Sequence, residues 1–242
     1  MADLRSEWLN CRLADVVSLR VGYAFKSADF SEDGVRLLRG ANIAPGQVDW
    51  TDTVCLPTIK AASYSGYSIS EGDILLAMDR PVISSGLKIA QAQEHDAGSL
   101  LVQRVANPRP SEWILNDYLM IVLNSDIFFS QISDHATGSD LPHISGNDIL
   151  TTPCPLPPLD TQHEIVALVQ MALARADRLE AEAARSRKLL DRLESAILVK
   201  AFRGKLVPQD PNDEPASALL DRIRAQRAAG GAKPARGRRK AE

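Results

Sequence analysis

The sequence is poor in the features that mark a secreted, membrane-spanning or disulfide-bonded protein. No window of its 242 residues holds eighteen consecutive apolar side chains, which excludes a membrane helix. Its first residues, MADLRSEWLNCRL, lack the apolar run of a secretory signal, so we expect a cytoplasmic protein. The three cysteines, Cys11, Cys55 and Cys154, are odd in number and far apart, which favours plain thiols over disulfides or zinc ligands.

Motifs for catalysis and cofactor binding are also missing. The chain has no GxGxxG, no GxxxxGK[ST], no GxSxG and no HExxH, so neither a nucleotide pocket nor a common hydrolytic site is indicated. His135 and His143 lie eight residues apart without a cysteine or further histidine nearby, an arrangement that does not indicate a metal site. We therefore predict a protein that has no cofactor, no metal and no catalytic activity of its own.

Charge is unevenly distributed although the formal net charge is only −3. Residues 221–242 carry eight Lys/Arg and two acidic side chains, whereas residues 1–158 carry eleven Lys/Arg and nineteen Asp/Glu. A basic end of this kind either contacts nucleic acid or an acidic partner, or it only solubilises the chain. The acidic body means that any DNA binding must depend on a local basic surface and be sensitive to salt.

The first 155 residues have the pattern of a mixed α+β domain. Short apolar runs bounded by turn residues, at 35–43, 72–78 and 99–105, predict strands. The segment 116–132 is longer, and its apolar residues at helical spacing predict one helix, for which Asn116 is a suitable N-cap.

A proline-rich connector and a long helix follow this domain. Four prolines within 153–160 predict a stiff extended segment. Thr161 and Glu164 form the Ser/Thr-x-x-Glu pattern of a helix start, with Asp160 as an alternative cap. The predicted helix runs from 161 to 202, about 60 Å at 1.5 Å per residue.

One stripe of this helix has alternating spacings of four and three residues, the pattern of a coiled coil. We call this stripe the seam; its members are Ile165, Val169, Ala172, Ala176, Leu179, Ala183, Ser186, Leu190, Leu193 and Ile197. Since a helix of this length extends beyond a 150-residue domain, we expect the seam to pack against a second helix. The alternative is a single helix that packs onto its own domain.

The long helix has a well-marked end. Gly204 follows its last apolar residues, as a left-handed C-cap does, and prolines at 208 and 211 prevent the helix from resuming. Pro215 then opens a short second helix. The predicted organisation is a globular domain (1–155), a connector with a spacer and dimerisation helix (156–204), a Pro-rich loop with a short helix (205–228) and a disordered basic tail (229–242).

The chain resembles the specificity subunits of type I restriction–modification systems. The resemblance extends over nearly the whole sequence, and its most specific stretches are DILTTPCPLPPLDTQHEIV (148–166) and ILVKAFRGKLVPQDPNDEPASALLDRIRAQR (197–227). YAFKSADF (23–30), LLRGANI (37–43), GDILLAMDRPVI (72–83), QRV (103–105) and ATGSDLPHIS (136–145) also contribute.

The resemblance implies a target-recognition domain that binds double-stranded DNA and helices that dock other subunits. Its expected partners are modification (methyltransferase) subunits, which bind S-adenosylmethionine and methylate adenine, and a restriction subunit, an ATP-dependent nuclease. Typical members alternate two recognition domains with two antiparallel long helices, whereas this chain has one of each and resembles half a subunit. Half a subunit supplies this arrangement only by homodimerising or by pairing with another half-subunit. A homodimer is expected to read an inverted repeat with a fixed gap, because the symmetries of protein and DNA must match.

Several side chains in or near the resembling stretches are candidates for DNA contact. They are basic residues in loops or at strand ends and polar residues of the TGSDLPHIS segment: Lys26, Arg39, Arg80, Lys88, Thr137, Ser139, His143 and Ser145. The alternatives are surface charges or ion pairs for the cations, and a self-bonded turn for the polar segment. Asn42 is assigned to a turn rather than to adenine recognition.

Two other classes of function compete with DNA recognition. An acidic single domain joined to a coiled coil is compatible with an adaptor whose head binds protein. A stand-alone enzyme is disfavoured by the missing cofactor motifs.

Overall fold

The α+β class follows from short strands and helices that alternate along the first 160 residues. In this computed structural model, residues 8–135, 142–208 and 210–230 are described. The chain divides into two compact units, an N-terminal unit of residues 1–174 and a C-terminal unit of residues 175–242. The predicted fold class is confirmed, and the finer division into domains stays a prediction.

The N-terminal unit contains thirteen short strands in its described part. The strands are β1 Leu9–Arg12, β2 Val17–Val21, β3 Val35–Leu38, β4 Ile43–Ala44, β5 Gln47–Val48, β6 Cys55–Leu56, β7 Ile74–Ala77, β8 Val82–Ile83, β9 Gly86–Leu87, β10 Ile89–Gln91, β11 Leu100–Leu101, β12 Val105–Pro110 and β13 Pro153–Leu156. The helices are α1 Leu13–Val16, α2 Thr58–Ala61, α3 Asn116–Leu123, α4 Asp126–His135, α5 Gly146–Leu150 and α6 Leu159–Phe202, which continues into the C-terminal unit.

A four-stranded sheet in the order β10–β7–β12–β2 forms the centre of this unit, with antiparallel neighbours throughout. A three-stranded sheet has the order β11–β3–β6, and β4–β5 and β8–β9 are hairpins. Because side chains alternate along a strand, β7 contributes to two cores. Ile74 and Leu76 pack with the helices, whereas Leu75 and Ala77 pack on the opposite face.

The connector is extended over Pro153–Leu156, where it forms a strand, but Leu159 and Asp160, predicted to be extended, already belong to α6. β13 pairs with β1 in antiparallel register, with Cys11 opposite Cys154. All three cysteines are free thiols, and burial raises the pKa of Cys154 to about 12, so this thiol stays protonated at neutral pH.

The segment predicted as one helix over 116–132 is two helices, α3 and α4. Asn124 donates its side-chain amide to the carbonyl of Met120 at 2.9 Å, and the Ser125 hydroxyl donates to the carbonyl of Val122 at 2.6 Å. These side chains bond to the last turn of α3 and end it. After the break, Phe128 and not Ile127 faces the core.

The long helix begins at Leu159, two residues before the predicted capping residue. The backbone N–H of Gln162 already donates to the carbonyl of Pro158 at 3.0 Å. Thr161 therefore lies inside the first turn, and the capping-box prediction for Thr161 and Glu164 is wrong. The prolines at 157 and 158 stand just before the helix, where their missing N–H groups cost no helical hydrogen bond.

The C-terminal unit contains the rest of α6 and a second helix, α7 Ala216–Ala229. Gly204 has φ +65°, and the N–H of Lys205 donates to the carbonyl of Lys200 at 2.8 Å, so the predicted glycine C-cap is confirmed. Pro215 stands directly before α7, as predicted. Every described residue of this unit is exposed, so these residues form no buried core.

Candidate nucleic-acid interface

A cluster of charged side chains lies where β7 ends. Asp79 follows this strand by two residues and accepts hydrogen bonds from Arg104 Nη1 at 3.0 and 3.1 Å, one to each carboxylate oxygen. The Nδ1 atom of His143 is 2.7 Å from Oδ1 of the same carboxylate. We call Asp79, Arg80, Lys88, Arg104 and His143 the Asp79 cluster.

Backbone hydrogen bonds hold three distant segments together at this cluster. Met78 donates its N–H to the carbonyl of Arg104 at 2.8 Å, and Ile144 donates to the carbonyl of Met78 at 2.9 Å. Arg80 donates its N–H to the carbonyl of Pro142 at 2.7 Å. Arg80 and Arg104 have φ of 45° and 64°, values that side-chain-bearing residues rarely adopt, so the turns are constrained where they present their guanidinium groups.

Lys88 belongs to the cluster through its electrostatic environment. Burial lowers the pKa of its ammonium group, nearby Asp79 raises it, and nearby Arg80 lowers it further. Lys88 follows the β8–β9 hairpin, whose Val82 and Ile83 are exposed. The cluster therefore borders a hairpin whose first strand has an exposed apolar surface.

The cluster has an excess of positive charge. Two arginines and one lysine surround a single carboxylate, and the Arg80 side chain is exposed with no ion pair among the described residues. Arg and Lys side chains on constrained turns are suited to phosphate oxygens, and Arg is also suited to the edge of guanine. The site can therefore bind a polyanion, with Arg80 free to make the contact.

Some of the residues predicted to contact DNA meet in the Asp79 cluster, whereas others have partners elsewhere in the protein. Arg80, Lys88 and His143 meet in the Asp79 cluster. Arg39 instead pairs with Asp52 at 2.9 Å, and Ser145 caps α5 by accepting the N–H of Asp148 at 3.2 Å.

The remaining candidates lie elsewhere. Lys26 is exposed and precedes a 3₁₀ turn at Ser27–Asp29. Thr137 and Ser139 fall outside the described residues. Asn42 is buried and bonds Arg39, Asp49 and Asp52, which confirms its assignment to a turn.

Sequence reasoning missed Arg104 and Asp79 as members of the site. Both were visible as charged residues next to apolar strands, but no motif joins positions 79, 104 and 143. A partial signal was that the stretches 72–83, 103–105 and 136–145, which carry the family resemblance, each contribute a member.

An aromatic cavity adjoins the turn that carries Arg104. Tyr23 accepts the N–H of Gln103 at 2.8 Å, and its ring lies 4.7 Å from that of Tyr64 and 5.0 Å from that of Phe25, centroid to centroid. The cavity has a volume of about 370 Å³ and is lined by these rings together with Lys26 and Lys60.

The seam of α6 changes environment along the helix. Ile165 is half-buried and packs against the core of the N-terminal unit, and Val169 is also half-buried. The seam residues from position 172 onward are exposed; they are Ala172, Ala176, Leu179, Ala183, Ser186, Leu190, Leu193 and Ile197. Leucine and isoleucine exposed on one helical stripe mark a surface that is normally covered by a partner.

The described residues contain neither a metal-binding cluster nor a membrane-spanning helix. No group of three or more His, Cys, Asp or Glu side chains in the described ranges is placed to hold a metal ion. No helix within those ranges is both long and apolar enough to cross a membrane.

Comparison with known proteins places these features in context. Residues 5–183 match the family model described as the type I restriction modification DNA specificity domain. The type I restriction enzyme EcoAI specificity subunit of Escherichia coli is 36% identical over 179 residues, which are 74% of this chain and 30% of that protein. The EcoKI specificity subunit of Escherichia coli (strain K12) is 30% identical over 240 residues, which are 91% of this chain and 49% of that protein.

One solved structure is also similar to this chain in sequence and in fold. The HsdS subunit from Thermoanaerobacter tengcongensis is 25% identical, with a TM-score of 0.58 over 85% of this chain and 47% of that one. The chain thus spans about half the length, or less, of the proteins it matches.

Proposed function

The chain belongs to the type I restriction–modification DNA specificity family, and from that premise we propose that its N-terminal unit binds duplex DNA through the Asp79 cluster. Arg80 and Lys88 contact phosphates or guanine, while Asp79 and His143 hold Arg104 and the adjoining turns in place. The exposed β8–β9 hairpin beside them is narrow enough to enter a major groove.

The observation that carries this proposal is that Arg104 and His143, from two distant segments, both bind the carboxylate of Asp79, with Lys88 and Arg80 in the same electrostatic environment. A head with nineteen acidic and eleven basic side chains in residues 1–158 needs such a local excess of cations to bind DNA. Arg39 and Ser145 have partners within the protein, so we assign them supporting roles; contact by Lys26, Thr137 or Ser139 stays a prediction.

We further propose that two copies associate through the seam of α6, and that this pairing holds the two N-terminal units at a fixed separation. The exposed Leu190, of which 64% is accessible, and the other exposed seam residues support this step. Such a dimer would present the same reading surface twice, related by a two-fold axis. Its target is then two copies of one half-site in inverted orientation.

The other activities of such a system would belong to partner subunits. The sequence contains no S-adenosylmethionine or ATP motif, so methylation and cleavage are assigned to the modification and restriction subunits. In this scheme the chain determines which DNA sequence the complex recognises.

Arg80→Ala tests the proposed DNA surface. Removal of one phosphate-contacting cation is expected to weaken binding at every salt concentration and to reduce the slope of log K against log salt by about 1. Fluorescence anisotropy with a labelled duplex, with the modification subunits present, measures both quantities. Arg12→Ala, which removes an exposed cation of β1, is the matched control and should leave the slope unchanged.

An unchanged slope for Arg80→Ala would place the DNA surface elsewhere. If the wild-type protein, saturated with modification subunits, bound no duplex even at low salt, the adaptor alternative would replace the DNA-binding one.

A further inference from the structure

An apolar groove lies beside the start of α6 in the N-terminal unit. It has a volume of about 640 Å³ and is lined mainly by Leu9, Trp113, Leu156, Pro157, Pro158 and Leu159. Trp113 is 62% exposed, an unusual environment for the largest apolar side chain. We call this feature the Trp113 groove.

A second uncovered apolar feature lies at the other end of the same helix. Phe202 ends α6 and is 89% exposed, and Leu206 and Val207 follow the Gly204 turn and are also exposed. We call residues 202–207 the Phe202 segment. The chain therefore has an exposed apolar groove before the seam and an exposed apolar segment after it.

Antiparallel pairing of two seams would bring these features together. When the seams overlap completely, Ile165 of one copy lies opposite Ile197 of the other. Phe202, five residues after Ile197, then lies opposite Asp160, five residues before Ile165. A parallel pair would instead place the two grooves side by side and leave both Phe202 segments uncovered.

Charge at the two features is complementary. Asp15 lines the groove, and the exposed Glu112 and Asp160 adjoin its lining residues in sequence. One exposed cation, Arg12, adjoins the lining residue Cys11, so the surroundings of the groove keep an excess of negative charge. The Phe202 segment contains Arg203 and Lys205, both exposed and without ion-pair partners among the described residues. Opposite charges around an apolar contact favour the correct orientation and disfavour the parallel one.

We propose that the Phe202 segment of a second copy docks in the Trp113 groove, twice in each antiparallel dimer. This inference rests on the proposed self-association, for which the family resemblance implies antiparallel helices, and it specifies the contacts at the helix ends. Each copy would cover the apolar groove of the other with Phe202 and place Arg203 and Lys205 near its acidic rim. The contact would fix the register that the alanine-rich middle of the seam specifies weakly.

Two single variants test this contact in the full chain. Trp113→Ala and Phe202→Ala each remove an aromatic side chain from the junction, and each is expected to raise the dimer dissociation constant by about tenfold or more. Sedimentation equilibrium measures the constant. Ile59→Ala, a truncation of another highly exposed apolar side chain of the N-terminal unit, is the matched control and should have no effect. Thermal unfolding checks that every variant is folded.

Mixing the two variants distinguishes docking between two copies from docking within one chain. A dimer of one Trp113→Ala chain and one Phe202→Ala chain has one junction altered on both sides and one intact junction. We expect this mixed dimer to form in preference to either variant homodimer. If a chain docked its own segment in its own groove, the mixture would show no preference.

The outcomes separate this proposal from the one on which it rests. A wild-type chain that stays monomeric at micromolar concentration would contradict the proposed self-association. A wild-type dimer whose dissociation constant is unaffected by both variants, or whose variants show no preference for mixing, would overturn the docking contact alone.

Discussion

At the residue scale, the sequence indicates several members of the candidate site but not that they lie together. Arg80 and His143 were predicted because they lie in loops within resembling stretches, and Lys88 because it is a basic residue in a loop soon after one of them. Their meeting with Arg104 at Asp79 was not predicted, because it depends on hydrogen bonds between segments as far apart as positions 79 and 143. Local patterns specify strands and turns, but they do not specify which turns become neighbours.

Gly22 shows how tightly one residue can be constrained by its neighbours. A Cβ atom at this position would lie 2.1 Å from the carbonyl oxygen of Val102, which is backbone and cannot move aside cheaply. The contact fixes β2 against the turn that leads to Arg104, since the N–H of Gly22 donates to the carbonyl of Val105 at 3.1 Å. The position beside the aromatic cavity therefore requires glycine.

We predict that Gly22→Ala lowers the free energy of unfolding by about 1–3 kcal/mol, because the methyl group forces the two backbones apart. Urea denaturation followed by circular dichroism measures the change. Gly66→Ala is the control, since a Cβ there would have no neighbour within 4 Å. Equal stabilities of the two variants would contradict the close approach.

At the element scale, the long helix illustrates both the success and the limit of sequence reasoning. Its end at Phe202 and the left-handed Gly204 were predicted because local chemistry determines them. Its start was misplaced because the decisive group is Gln162, a buried side chain whose partners lie about fifty residues earlier as well as nearby. Gln162 accepts the N–H of Leu115 at 2.8 Å and donates to the carbonyls of Trp113 and Pro157 at 3.0 and 2.9 Å.

Gln162→Ala is expected to destabilise the protein by about 3 kcal/mol, because it leaves several backbone groups without partners in a buried position. Thermal and urea unfolding measure the loss. Gln170→Ala removes an exposed glutamine from the same helix and should change stability by less than about 0.5 kcal/mol. A loss of equal size in both variants would mean that Gln162 has no special role in fixing the start of α6.

At the scale of the whole molecule, the two units differ in how completely they fold on themselves. The N-terminal unit has buried cores on both faces of β7, whereas every described residue of the C-terminal unit is exposed. The heptad pattern predicted that α6 packs against a second helix, and the exposed leucines of the seam support that interpretation. The bases that the N-terminal unit recognises could not be predicted. Recognition by loop residues follows no general rule that relates a single protein sequence to a DNA sequence.

The symmetry of the methylated target tests the central claim most directly. Adenine methylation would be mapped across the genome of a host that carries the gene and of the same host without it. Two identical heads held by one antiparallel helix pair predict a gene-dependent motif of two identical half-sites in inverted orientation, separated by a constant gap. Gene-dependent methylation at a motif with two different half-sites would contradict the account.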